Sequence, residues 1–156
     1  MKKIIKKLSR NEKGSYAVLA IIMIPIFLLI AALAVDMSIL FAARAELLKA
    51  SDIAAIEVSK YLDLEKPQIS EEGYIIFIKS GYTDYAKEWV LKNFVNRFSG
   101  ELKEVSVRFG PVNINENPEI VYVKSVANIP LHFAKIIGMK STNVGVEGSA
   151  RIREVK

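Results

Sequence analysis

Residues 15–62 read SYAVLAIIMIPIFLLIAALAVDMSILFAARAELLKASDIAAIEVSKYL, and the first 21 of them, Ser15 to Val35, carry no charge. As a helix rising 1.5 Å per residue, those 21 residues cover about 30 Å, the thickness of a bilayer's hydrocarbon core. In a chain of 156 residues, a soluble fold has too little material to cover a helix that is apolar on every side. A membrane segment over residues 15–36 follows. Beyond Asp36 the helical pattern continues: Leu40, Ala43, Leu47, Ala50 and Ala54 recur every three or four residues, with Arg44, Glu46, Lys49, Asp52 and Glu57 between them. One helix from about Ser15 to Leu62 is therefore expected, roughly 70 Å long, and Lys66-Pro67 ends it. Its alanine-rich stripe permits close approach of a sheet or a second helix.

The formal charge of +5 lies at one end of the chain. Residues 1–14 hold Lys2, Lys3, Lys6, Lys7, Arg10 and Lys13 against the single acid Glu12, and the remaining residues balance to zero. A basic tail beside a neutral body is not the footprint of a nucleic-acid-binding domain. It is the flank found on the cytoplasmic side of a membrane segment, with only Arg44 and Lys49 soon after the span. These charges predict a basic cytoplasmic tail over 1–14 and an extracytoplasmic domain over 37–156. The triplet Ala32-Leu33-Ala34 also fits a signal-peptide cleavage site. Against cleavage stand the length of the apolar run, the helical pattern continuing past Ala34, and Pro25 in mid-run, which a membrane helix tolerates as a kink. An uncleaved anchor is expected. Asp36, at the outer end of the run, reads as an interfacial carboxylate that reaches water, the alternatives being a partner subunit or an ion.

After the long helix the periodicity changes. Tyr74–Lys79 is a short run of β-formers. Asp84–Phe98 is an amphipathic helix, with Thr83 or Asp84 as its cap and Ala86, Trp89, Val90, Phe94 and Phe98 on one face. Glu104–Phe109, Ile120–Ile129 and Val144–Val155 read as strands, and Asn113–Pro118 as a loop. Pro130 is placed to open a short helix and Gly138 to close it. The expected fold is α+β: a long N-terminal helix packed on a small, mainly antiparallel sheet with two short helices.

Little in the chain suggests chemistry. With no cysteine and a single histidine, His132, neither a disulfide nor a conventional zinc site is available. His132 reads as a surface or partly buried structural residue. Glu71-Glu72 are adjacent and point apart, which is poor geometry for paired acid–base work. Phosphate-binding glycine loops and nucleophile elbows are absent from the sequence. Tyr82, Tyr85, Trp89, Phe94 and Phe98 fit a small core better than a base-stacking surface. The residues point to no catalytic site, no cofactor and no metal, and to a membrane-anchored structural or binding module.

Arg10 to Ala55 resembles the N-terminal region of the TadE/TadG-like proteins of tight-adherence (Flp) pilus assembly. The resemblance rests on the basic residue and Gly14 before the apolar run, Ala17-Val18, Pro25, Ala34-Val35-Asp36, Arg44, Leu47 and Ala50–Ala55. The segment from Val121 to Arg151 also looks like the part that closes such domains, and together the two cover about half the chain. The resemblance implies a pilin-like fold and a pilus-assembly or minor pilin-like role in a bacterial adhesion or secretion apparatus. It implies contacts with membrane lipid and other pilus subunits, and neither nucleic acid nor a small-molecule substrate. It marks Gly14-Ser15 as a processing point, and Pro25, Asp36 and Arg44 as membrane-border or assembly residues. Where TadE-type proteins carry glutamate, this chain has Leu19, nearer the TadG-type pattern, so an uncut tail is expected. The large C-terminal domain common in TadG-type proteins is not expected here. The reading from a different class is a secreted or membrane-tethered binding or sensor domain.

Overall fold

The structure, a computed structural model, describes residues 12–61, 69–70, 73–74, 80–94, 97–110 and 120–152, with side chains for all but 12–15, 69–70 and 73–74. The expected helix forms as α1, Glu12–Ser59, 48 residues in one piece with Pro25 inside it. It stops at Ser59, three residues before Leu62, where Lys60 and Tyr61 turn back onto the carbonyls of Glu57 and Val58. Lys66-Pro67, which the sequence suggests as the stop, lies outside the described residues.

The two halves of α1 have different surroundings. From Tyr16 to Ala31 every residue is exposed, including all the large aliphatic ones. From Ala43 onward a stripe is fully covered: Ala43, Leu47, Ala50, Ser51, Ala54, Ala55 and Val58. Their three- and four-residue spacing keeps them on one face, and that face lies against a three-stranded sheet.

The sheet is an antiparallel meander of β3 (Glu101–Gly110), β4 (Ile120–Pro130) and β5 (Ser141–Arg151), with β4 in the centre. Alternation along β4 sends Val121, Val123, Ser125, Ala127 and Ile129 inward, all buried. The pairs Val107–Val123 and Val123–Gly148 carry the same face across the neighbouring strands. On the outer face, Arg108 stands 4.5 Å over the Tyr122 ring and 2.9 Å from Glu147, while Asn128 donates to Asn143. β3 begins three residues before the Glu104 suggested by alternation. The register shifts between Leu102 and Glu104, and this bulge lets Leu102 and Val105, an odd number of positions apart, both face the core.

A second helix, α2 (Tyr82–Asn93), covers β3 through Ala86, Val90 and the capping Phe94. It begins at Gly81, in the left-handed conformation at φ +85°, so neither Thr83 nor Asp84 caps it; both sit inside the first turn. It also ends early, and Phe98 joins the core from the turn that follows. Tyr61 stacks on Tyr85 at 4.3 Å, and Tyr82 meets Phe109 edge-on at 5.1 Å, so the aromatic set is core material as expected. Of the expected strand Tyr74–Lys79, only Tyr74 is described, in a two-residue pairing of β1 (Ile69–Ser70) with β2 (Gly73–Tyr74). Glu71-Glu72, residues 75–79 and the Asn113–Pro118 loop lie outside the described residues.

Two features set how tightly α1 seats. A Cβ built on Gly148 would fall into the backbone of Ser51 and Asp52, 2.7 Å from the Ser51 carbonyl oxygen. Helix backbone and strand backbone are thus in contact, and glycine is what permits it. Beside them the buried hydroxyls of Ser51 and Ser125 share a hydrogen bond at 2.8 Å, with Leu47 O 2.9 Å from Ser51 Oγ. Besides Asp36, these two serines are the polar residues buried as a whole among the described residues, and they satisfy each other; the Oε2 atom of half-buried Glu46 is covered without a partner.

Candidate functional site

The junction between the exposed and packed halves of α1 is organised by Asp36. It lies four residues before Leu40, seven before Ala43 and eleven before Leu47, so it belongs to the stripe that faces the sheet. The residue is 3% exposed. Oδ1 accepts the backbone N–H of His132 at 2.9 Å; Oδ2 accepts those of Phe133 at 2.9 Å and Ala134 at 2.6 Å. The reading of Asp36 as a residue that reaches water is therefore corrected. The carboxylate faces inward because its register matches the packed stripe, and the free N–H groups at the start of a helical turn give it donors.

That turn is a short 3₁₀ helix, η1 (Ala134–Ile137), within the β4–β5 connection. Pro130, expected from the sequence to open this helix, does not do so: it ends β4 opposite Ser141. Phe133 is the N-cap, and because its side chain cannot accept a hydrogen bond, Asp36 from α1 takes the capping role. Gly138 closes the turn at φ +90°, as expected. Leu131 N–H donates to Lys140 O at 3.0 Å, and Met139 N–H to Ala134 O at 3.1 Å, so the ten-residue connection is internally braced. His132 is an exposed residue whose backbone N–H donates to Asp36.

The connection sits level with the end of the apolar run. Ser149 N–H reaches Asp52 Oδ1 at 3.2 Å, while Thr142 to Gly145 lie beside Met37 to Arg44. From Asp36 to Asp52 the helix climbs about 24 Å, and from Thr142 to Ser149 the strand climbs about 23 Å. The two run side by side in the same direction, which places residues 131–140 at the end of the domain nearest Val35.

Of the other residues singled out in sequence, Gly14 and Ser15 fall in the first turn of α1, and Pro25 is exposed inside its apolar half. Arg44 is exposed and lines an open groove of about 240 Å³ with Met37, Leu40, Phe41 and the free edge of β5 from Thr142 to Gly145. The structure thus brings Asp36 and Arg44 to the same end of the domain and leaves Gly14, Ser15 and Pro25 apart from it. Sequence reasoning missed the loop donors, because they stand 96 to 98 residues from Asp36. The signal available was the spacing of Asp36 with Leu40, Ala43 and Leu47.

Chemically, the arrangement fastens two segments together. Both carboxylate oxygens are occupied by backbone donors, and among the described residues no three acidic or histidine side chains converge as metal ligands. As a whole, α1 is a helix near the N-terminus, long and apolar enough to cross a membrane. Comparisons with family models, characterised proteins and solved structures give no significant match to this chain.

Proposed function

We propose that this protein is a single-pass membrane component of a bacterial tight-adherence pilus or secretion apparatus, of the TadE/TadG-like kind, acting through helix and domain contacts without catalysis. The observation that carries the reading is the division of α1: one uninterrupted helix is apolar and uncovered through Ala31, then packs on the sheet from Ala43. That is the division of labour of a pilin-like subunit, in which one helix serves the membrane and the domain at once. In this reading residues 1–14 stay in the cytoplasm, 15–36 span the bilayer, and the sheet domain stands outside. The continuity of α1 through Ala32-Leu33-Ala34 favours an anchor retained with its domain. Met37, Phe41, Leu48 and Ile56 extend an exposed apolar seam along the outer half of the helix, suited to neighbouring subunits.

The test is genetic and chemical. Deleting the gene should abolish surface pili and adhesion, and the mature membrane-bound protein should begin at Met1 or Ser15. Pili and adhesion that survive the deletion sink the assembly role. A mature N-terminus at Val35 sinks the anchor and favours a secreted binding domain instead.

A further inference from the structure

The exposed apolar side chains of the domain are concentrated in one place. Outside α1, five large apolar residues among those described are exposed, and four of them lie within seven positions of the β4–β5 connection. They are Phe133 (41%), Ile136 (73%), Ile137 (57%) and Met139 (51%). Leu131 and Ala134 of the same loop are buried, so the loop has an inner side that docks on the domain and an outer side that is apolar. Lys135 and Lys140 flank the apolar residues, and residues 131–140 contain no acid. The hydrogen bonds from His132, Phe133 and Ala134 to Asp36 hold this surface at the outer end of the apolar run.

We propose that the β4–β5 connection is a second membrane contact: Phe133, Ile136, Ile137 and Met139 enter the headgroup–acyl boundary, and Lys135 and Lys140 meet anionic lipid phosphates. This rests on the reading of residues 15–36 as a membrane span. The occupant is lipid because the patch continues an apolar surface already assigned to lipid, at the depth where the span ends. Its cations and lack of acids complement an anionic surface. A short apolar segment with lysines beside it suits the interface, where lysine stems lie along apolar surface and the ammonium groups reach phosphate. The contact fixes the rotation of α1 and its domain together about the membrane normal. With α1 alone the domain is free to turn over the membrane, whereas α1 and the loop together define which face of the sheet looks outward.

Because the chain has no cysteine, a single-cysteine variant carries one label. The full-length protein is reconstituted in vesicles of phosphatidylcholine with phosphatidylglycerol and labelled with an environment-sensitive dye at Ile136→Cys, Leu28→Cys or Lys124→Cys. Lipids brominated at shallow acyl positions then serve as quenchers. Labels at positions 28 and 136 should be blue-shifted and quenched, while the label at 124, on the outer face of the sheet, should be neither. Combining Ile136→Cys with Lys135→Glu and Lys140→Glu should reduce the quenching in anionic vesicles. Quenching at 28 without quenching at 136 overturns the loop contact and leaves the span intact, including the case where the 136 label is shielded by protein. No quenching at 28 overturns the span and the loop contact together. Unchanged quenching in the lysine variant overturns the role given to the two cations.

Discussion

The two halves of α1 are made by the same backbone and differ in what their side chains must meet. Before Asp36 the helix shows isoleucine, leucine, phenylalanine and methionine on all sides; after Ala43 its covered stripe is mostly alanine and serine. Large side chains suit a surrounding that fits any shape, such as lipid. Small ones are needed where a folded sheet comes close enough for Gly148 to touch helix backbone. Hydrophobicity alone therefore does not distinguish the uncovered half of the helix from the sheet-facing half; side-chain volume at each position does.

Substitutions that exchange volume between the halves probe this difference. Leu47→Ala, in the fully buried stripe, should cost about 4 kcal/mol of domain stability, read by denaturant unfolding through Trp89 fluorescence in detergent. Ala50→Leu should cost about 3 kcal/mol by overpacking, whereas Ala31→Leu, on the exposed half, should stay within about 0.5 kcal/mol. Equal effects from the two alanine changes would break the comparison outright. Asp36→Ala removes the acceptor for three loop donors and should cost about 2 kcal/mol. Its hydrogen-exchange signature is specific: amides of residues 132–134 lose protection while those of β4 keep theirs. Among the changes at buried positions the smallest effects fall on the serine pair: Ser51→Ala strands the Ser125 hydroxyl and should cost about 1 kcal/mol, whereas Ser125→Ala should cost less, because Ser51 keeps the Leu47 carbonyl as its acceptor, and the double variant should cost hardly more than Ser51→Ala.

Much of this was legible in the amino-acid sequence because it depended on local pattern. The 21 uncharged residues and the three-four spacing after them specify one long helix, and alternation in Glu104–Phe109 and Ile120–Ile129 specifies two strands. What escaped depends on distant or conformational events. Leu102 falls outside the alternation of β3 because a bulge intervenes. Gly81 replaces the conventional polar caps of α2 through its backbone conformation. Asp36 finds its donors on a loop that nothing near it in sequence announces, although its place in the Leu40–Ala43–Leu47 register already aimed it inward.

The side-by-side course of α1 and β5 also orders events in time. The partners Asp52 and Ser149 are 97 residues apart in the chain. At about 5–20 residues per second, the ribosome needs about 5–20 s to deliver the second after the first. The helix is made first, so the part of its stripe that β5 covers must wait until that strand arrives. A nascent chain halted before Gly148 would hold a complete apolar segment and a stripe covered on only part of its width, a state open to wrong helix pairing. The final strand thus acts as the closing step of folding, and anything that delays its arrival lengthens the exposure of the face it covers.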